Sequence, residues 1–535
     1  MPGTSTIRLL SILVVAAGLN AWGGSRIFNV LDYGAHHDGS ALATEAFRAA
    51  IQAAHAAGGG TVEVPAGEYI TGPIELVSNL ELHLEAGATL RFPAMRLPYG
   101  PGRQQGVECL TPAPLIGGRK LENVSITGRG LLTTNQADWL NLMGRPEFHS
   151  DSSVGAEFGP AWNKLLGMLE LKQPVPQDLY KEVAPFLRPS FVRLMDSRNI
   201  LVEGLHFVGS PMWTVHLLYS ENAVVRDLIV ETYPGAETDG LVVDSSRNVR
   251  ISNCYFDTGD DALVLKSGKD ADGLRVNRPT EGVSIVNCTF HHAHGAVTLG
   301  SETSGWIRNV TASNIVCDGT QIGIRVKSRR GRGGGVEDVR FDQWTMDHVG
   351  QGISVTNYYL MAGETRTSEE AVSDRTPIFR NIGISHVSIA HARVAIDVEG
   401  LPEMPIEGLR ITDVTASGKI GLKSYHTVAL ALDQVQVDAQ NGPAFLLRDS
   451  KDLQLNGVAT RKPVSGMPVI RLDHCPRAVV SGSRAFPSTG TFLSVAPGEL
   501  KEVVMVGNAL EPARKAAEES AKDFPMVAES ATEKN

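Results

Sequence analysis

Four polar clusters interrupt an otherwise apolar, β-branched stretch between residues 237 and 327: Thr238-Asp239-Gly240, Gly259-Asp260-Asp261, His294-Gly295 and Arg325-Val326-Lys327. Asp239 precedes Asp260 by 21 residues, Asp261 precedes His294 by 33, and His294 precedes Arg325 by 31. Three carboxylates suit acid–base cleavage of a glycosidic bond. A protonated carboxyl protonates the leaving oxygen while a carboxylate activates water. Crowding the acids raises the pKa of one and keeps it protonated near neutrality. His294 is a group that can share a proton with that acid. Arg325 offers a bidentate fork and Lys327 a point charge, both suited to an anionic substrate. Stability alone gives little reason to set Asp239 one repeat away from the adjacent Asp260 and Asp261, because the three repel.

The elements that must position these groups repeat along the chain. Asn, Gly or Asp followed by alternating apolar residues recurs at Asn79, Asn123, Asn199, Asn222, Asn248, Gly282, Asn309, Asp338, Asn381 and Gly408. Each unit holds two or three short strands separated by Gly or Asp turns. Such a unit cannot bury its own apolar side chains, and stacking the units makes a continuous core. The pattern predicts an all-β chain forming a single right-handed parallel β-helix; a β-propeller needs longer, four-stranded units. In stacked coils, residues at similar phase lie above one another, ~4.8 Å per coil. The polar clusters therefore converge on one groove.

Three departures from the repeat are expected. A capping helix over Leu42 to Ala57 puts Phe47, Ile51 and Ala54 on one face and ends at Gly58-Gly59-Gly60. Trp162, Leu165, Leu166 and Leu169 predict a helical insertion at about 136–187, lying over one side of the β-helix domain of residues 25–508. Charged residues over 509–523 predict a solvated C-terminal helix, with a tail to 535.

Composition narrows the class. The chain has 535 residues, 42% hydrophobic and 20% charged, with 49 Lys plus Arg against 59 Asp plus Glu and a net charge of −10. That balance argues against a general nucleic-acid binder. A polyanionic substrate has to be held by a local cationic patch. The five cysteines are odd in number and match no zinc spacing, so they read as small buried hydrophobes. Arg8 and the apolar run Leu9 to Leu19, followed by Ala21, Gly23 and Gly24, read as a secretory signal peptide over residues 1–24. The run is shorter than the ~20 residues a membrane span needs. A secreted or periplasmic protein follows, with no membrane insertion of the mature chain.

At these clusters the chain resembles glycoside hydrolase family 28, the polygalacturonases. The resemblance runs from Phe28 to about residue 360. It rests on Asp32-Tyr33-Gly34-Ala35, Gly58-Gly59-Gly60-Thr61-Val62, Ser210-Pro211-Met212-Trp213-Thr214-Val215-His216, the run from Asp257 to Gly268, Gly300-Ser301-Glu302 and Gly323 to Gly331. It implies a right-handed β-helix that hydrolyses α-1,4-galacturonosyl bonds with inversion and with no metal or cofactor. It further implies that Asp260 is the general acid, Asp239 and Asp261 activate water, His294 supports the acid, and Arg325 and Lys327 bind the galacturonate carboxylate.

Glu237 replaces the usual Asn and Val242 a common acidic residue. The extra carboxylate at Glu237 predicts a disfavoured uronate nearby, pointing to a neutral sugar or a rhamnogalacturonan-type linkage. His216, Glu302, Ser301, Tyr358 and Tyr359 are weaker substrate-binding candidates, each equally readable as structural. The insertion favours exo action by blocking one end of the groove. A calcium-dependent pectate lyase and a non-catalytic carbohydrate-binding β-helix are the rival readings, and oligomeric state stays open.

Overall fold

The computed structural model describes residues 26–142, 159–171, 173–359 and 368–524. The signal peptide expected at 1–24 and the end of the tail lie outside the described residues.

Among the described residues thirty-eight strands join in one parallel ladder, wound as a β-helix. A single inward-facing column shows how the core forms. Val215, Leu241, Leu263, Val297, Ile324 and Ile353 pair in register from coil to coil. The column continues through Ile396, Leu422, Phe445, Ile470 and Leu493. All are buried, and each such side chain contributes roughly 1.5–3 kcal/mol relative to exposure.

The repeat anchors have a conformational cause. All ten, from Asn79 to Gly408, have φ between 51° and 67°. Asn, Asp and Gly tolerate this left-handed region, and β-branched residues do not. The asparagines also stack: Asn123 Nδ2 donates to Asn79 Oδ1 at 2.8 Å and Asn199 Nδ2 to Asn123 Oδ1 at 2.9 Å.

The N-terminal end is closed by a helix, Thr44–Ala56, which buries Phe47, Ala50, Ile51 and Ala54. The insertion contains helices Gln136–Leu142, Gly159–Glu170 and Gln177–Val183. Trp162, Leu165, Leu179 and Val183 form a separate small core with Val107 and Cys109. Those last two belong to an antiparallel hairpin, Tyr99–Gln104 with Val107–Pro112, which the sequence reading did not foresee. All five cysteines are buried and free.

The expected C-terminal helix is not formed. Lys515–Glu519 is a strand that pairs in parallel with Thr491–Val495, placing Ala517 on Leu493. The open end of a solenoid presents unpaired backbone groups and apolar side chains, and satisfying them outweighs a weak local helix preference.

Candidate active site

One outer sheet of the β-helix carries the site: Val215–Leu218, Leu241–Asp244, Leu263–Lys266, Val297–Leu299, Ile322–Lys327 and Gln351–Thr356. Asp239 and Asp261 each stand two residues ahead of the paired Leu241 and Leu263, so they occupy equivalent places one coil apart. Asp260 is next to Asp261 in sequence, and its carbonyl accepts from His294 N at 3.2 Å on the following coil. Arg325 pairs with Thr298 across the ladder and projects outward beside it. Lys327 ends the same strand.

The side chains meet. Asp261 accepts from Arg325 Nη1 and Lys327 Nζ, both at 2.8 Å, and from Thr298 Oγ1 at 2.9 Å. His294 Nδ1 lies 3.2 Å from Asp260 Oδ1. Asp239 Oδ2 lies 3.1 Å from Lys266 Nζ, which also reaches Glu302 Oε2 at 3.4 Å. Gly295 is required by this closeness: a Cβ there would stand 2.1 Å from Thr298 Oγ1 and 2.8 Å from Asp261 Oδ1.

The three carboxylates line a cavity of about 560 Å³ together with Trp213, Lys266, Glu302, Lys327 and Tyr359. Lys266 Nζ sits 4.1 Å from the Trp213 ring centroid, and Lys327 Nζ 4.8 Å from that of Tyr359. Val242 is buried against Trp213, so its replacement of an acidic residue gives that ring an apolar backing.

The electrostatics separate the acids. Burial, reinforced by the charges of Asp260 and Asp261 against that of Lys266, pushes Asp239 well above the carboxylate range. Burial also acts on Asp261, but Lys327 and Arg325 outweigh it and hold that group low. At Asp260 burial is outweighed by the charge and hydrogen bond of His294, with Lys327 adding to them, so this carboxyl is held low too. The charge of Asp260 raises His294 against its burial. Burial and crowding therefore favour the neutral form at Asp239 rather than at Asp260. Asp239 shares Lys266 with Glu302, whereas Asp260 has an imidazole at its side.

The other substrate-binding candidates are placed as follows. Glu302 lines the cavity as Lys266's second partner. Glu237 also lines it, but its charge is compensated: Arg188 Nη2 donates to Oε2 and Gln105 Nε2 to Oε1, both at 2.6 Å. The repulsion expected against a neighbouring uronate is thereby removed. His216 is fully buried, packed edge-on against Trp213 with Nε2 3.6 Å from Asp244 Oδ2. It points outward from its strand, but Trp213 covers it, so it does not reach the groove. Tyr358 packs near Arg330, with 5.5 Å from ring centroid to guanidinium carbon, and it is Tyr359 that faces the cavity. A loop has no period to decide between adjacent tyrosines.

Sequence reasoning passed over Lys266 and Gln105 and gave Trp162 only to the insertion; all three are in the cavity wall. For Lys266 a signal existed. Leu263-Val264-Leu265-Lys266 and Ile324-Arg325-Val326-Lys327 share strand phase, so Lys266 and Lys327 lie in one column two coils apart.

A "Probable polygalacturonase" from Vitis vinifera is 30% identical to this chain over 401 residues, covering 72% of this chain and 73% of the relative. The chain belongs to glycoside hydrolase family 28. The sequence model described as glycosyl hydrolases family 28 matches residues 184–431, which contain Asp239, Asp260, Asp261, His294, Arg325 and Lys327. A second, described as "Rhamnogalacturonase A/epimerase, pectate lyase-like", matches residues 27–88. The solved structure of a hyperthermoactive exopolygalacturonase from Thermotoga maritima is 31% identical with a TM-score of 0.68, covering 77% of this chain and 92% of that one. An "Endo-polygalacturonase" from Pectobacterium carotovorum subsp. carotovorum is 28% identical over 32% of this chain and 41% of its own length. The family 28 fold is the right-handed parallel β-helix, and this member is a glycoside hydrolase of the polygalacturonase group.

Proposed function

We propose that the protein is an inverting, exo-acting galacturonan hydrolase that works by single displacement. Asp260, the half-buried carboxyl beside His294, protonates the leaving oxygen. The Asp260–His294 pair holds that proton jointly, since the raised imidazole keeps it until the carboxylate takes it up. Asp261 is kept anionic by Arg325 and Lys327 and takes the proton of the attacking water. Asp239, protonated and stacked one coil away, orients that water. Arg325 and Lys327 also meet the substrate carboxylate from the cavity wall. Positioning and charge matching supply most of the rate.

The observation that carries this reading is the shared cavity: three carboxylates from successive coils, with their cations, around one space. Galacturonate is favoured over a neutral sugar because Glu237 is paired. Exo action is supported by the helical insertion, whose Trp162 and Leu166 form part of the wall. Glu170 of the same helix pairs with Arg375 across the cavity edge. A secreted or periplasmic location fits an apolar leader on a chain in which no described helix is long and apolar enough to cross a membrane.

The test is Asp260→Asn. Release of reducing ends from polygalacturonate is expected to fall to background while the melting temperature and oligogalacturonate binding persist. A near-normal rate would overturn the assignment.

A further inference from the structure

One part of the cavity wall is built from the turns that follow the groove strands. It carries Lys269, Arg329, Arg332 and Tyr359 as well as Lys327. Most of the charges here are matched. Lys327 is bonded to Asp261. Arg332 is paired with Asp270, and Glu302 with Lys266. Lys269 is different. Among the described residues its ammonium has no ion pair, although it lies beside Asp270 in sequence and close to Glu302.

Its position is fixed by the hairpin. Lys269 N donates to Gly106 O at 3.0 Å at the hairpin tip. A Cβ on Gly106, which has φ +79°, would meet Lys269 Cβ at 2.6 Å and Glu302 Cγ at 2.8 Å. Glycine at the tip thus lets the hairpin press onto the backbone of Lys269. Burial, with the like charges of Arg332 and Arg329 against Asp270 and Glu302, brings the Lys269 amine down to about 8. A half-buried ammonium in the cavity wall, crowded by other cations and without an ion pair among the described residues, is a local cost that folding alone does not explain. An anion placed between Lys269 and Arg332 removes it.

We propose that Lys269, with Arg332, forms a second carboxylate-binding position in the cavity, taking the uronate of the sugar next to the one met by Arg325 and Lys327. The inference rests on the galacturonan reading and extends it. The enclosed wall reads two successive carboxylates of one chain, so specificity for a continuous run of galacturonate is set there. An ammonium beside a guanidinium suits a carboxylate, giving one point charge and one planar fork.

The test is binding of trigalacturonate in an Asp260→Asn background, comparing intact Lys269 with Lys269→Met. The methionine variant is expected to raise Kd tenfold or more and to flatten the dependence of Kd on salt, because one ion contact is lost. A Kd within twofold of the parent, or a loss with unchanged salt dependence, overturns the proposal. If Lys269→Met does not fold, Lys269→Gln is measured in the same way, with the same outcomes. Hydrolysis of polygalacturonate by the unsubstituted protein is followed separately. Binding through Lys269 without hydrolysis contradicts the hydrolase reading and leaves this position standing. Hydrolysis with binding indifferent to Lys269 contradicts this position alone.

Discussion

Lys266 Nζ lies 3.1 Å from Asp239 Oδ2, with both side chains almost fully enclosed. This contact holds in place the one carboxyl of the trio that burial drives toward its neutral form. Lys266 also compensates Glu302, so a single amine serves two acids of the cavity. Lys266→Met is expected to cut kcat by about a hundredfold, the scale of losing one preorganised donor. It is also expected to lower the melting temperature, since two enclosed carboxyls lose their cation. Turnover within threefold of the parent contradicts the role given to Asp239.

The Asp260–His294 pair sets a pH dependence. His294 is raised, chiefly by the Asp260 charge. The stability this pair contributes is fully present below the ordinary imidazole value of ~6.5 and is lost as pH rises through the folded value. The alkaline limb of kcat/KM is expected above ~6.5 for the same reason. His294→Ala is expected to move that limb to lower pH, because Asp260 then holds the proton alone. A pH–rate profile of the two proteins decides it, and an unmoved limb contradicts the pairing.

Arg325 contributes one of the two cations on Asp261. Arg325→Ala is expected to raise KM on polygalacturonate by about tenfold or more, the scale of a charge-assisted hydrogen bond. Steady-state kinetics on acidic and methyl-esterified oligosaccharides provide the check. An equal loss on both speaks against a contact with the substrate carboxylate.

The hairpin depends on a buried ion pair. Arg103 Nη1 lies 2.7 Å from Asp244 Oδ1, with both side chains fully enclosed. Burial acts to raise Asp244, but Arg103 and His216 outweigh it and bring it to about 2. Its stabilisation is therefore complete above the ordinary value of ~3.9 and fades as pH falls toward the folded one. Asp244→Asn strands a buried guanidinium and is expected to destabilise by about 3–5 kcal/mol. Denaturant melts at neutral pH measure this; a change below 1 kcal/mol on that scale contradicts the pairing.

The groove was legible because a stacked coil turns sequence phase into position. Asp239, Asp260, Asp261, His294, Arg325 and Lys327 could be gathered without coordinates, since each follows a left-handed Asn or Gly anchor by 12 to 18 residues. What stayed hidden breaks that phase. The hairpin at Tyr99–Pro112 is antiparallel, and its Gly-rich first strand carries no alternating pattern. His216 obeys the outward phase yet is covered by Trp213, and coverage by a distant side chain leaves no mark on spacing. The strand at Lys515–Glu519 comes from pairing at the solenoid's open end, which local charge spacing cannot reveal.

The most direct test of the account is proton NMR of the first product released from polygalacturonate. A saturated galacturonide appearing first as the β-anomer is the predicted result. An initial α-anomer, or an unsaturated product, contradicts single displacement by the Asp260 and Asp239–Asp261 carboxyls.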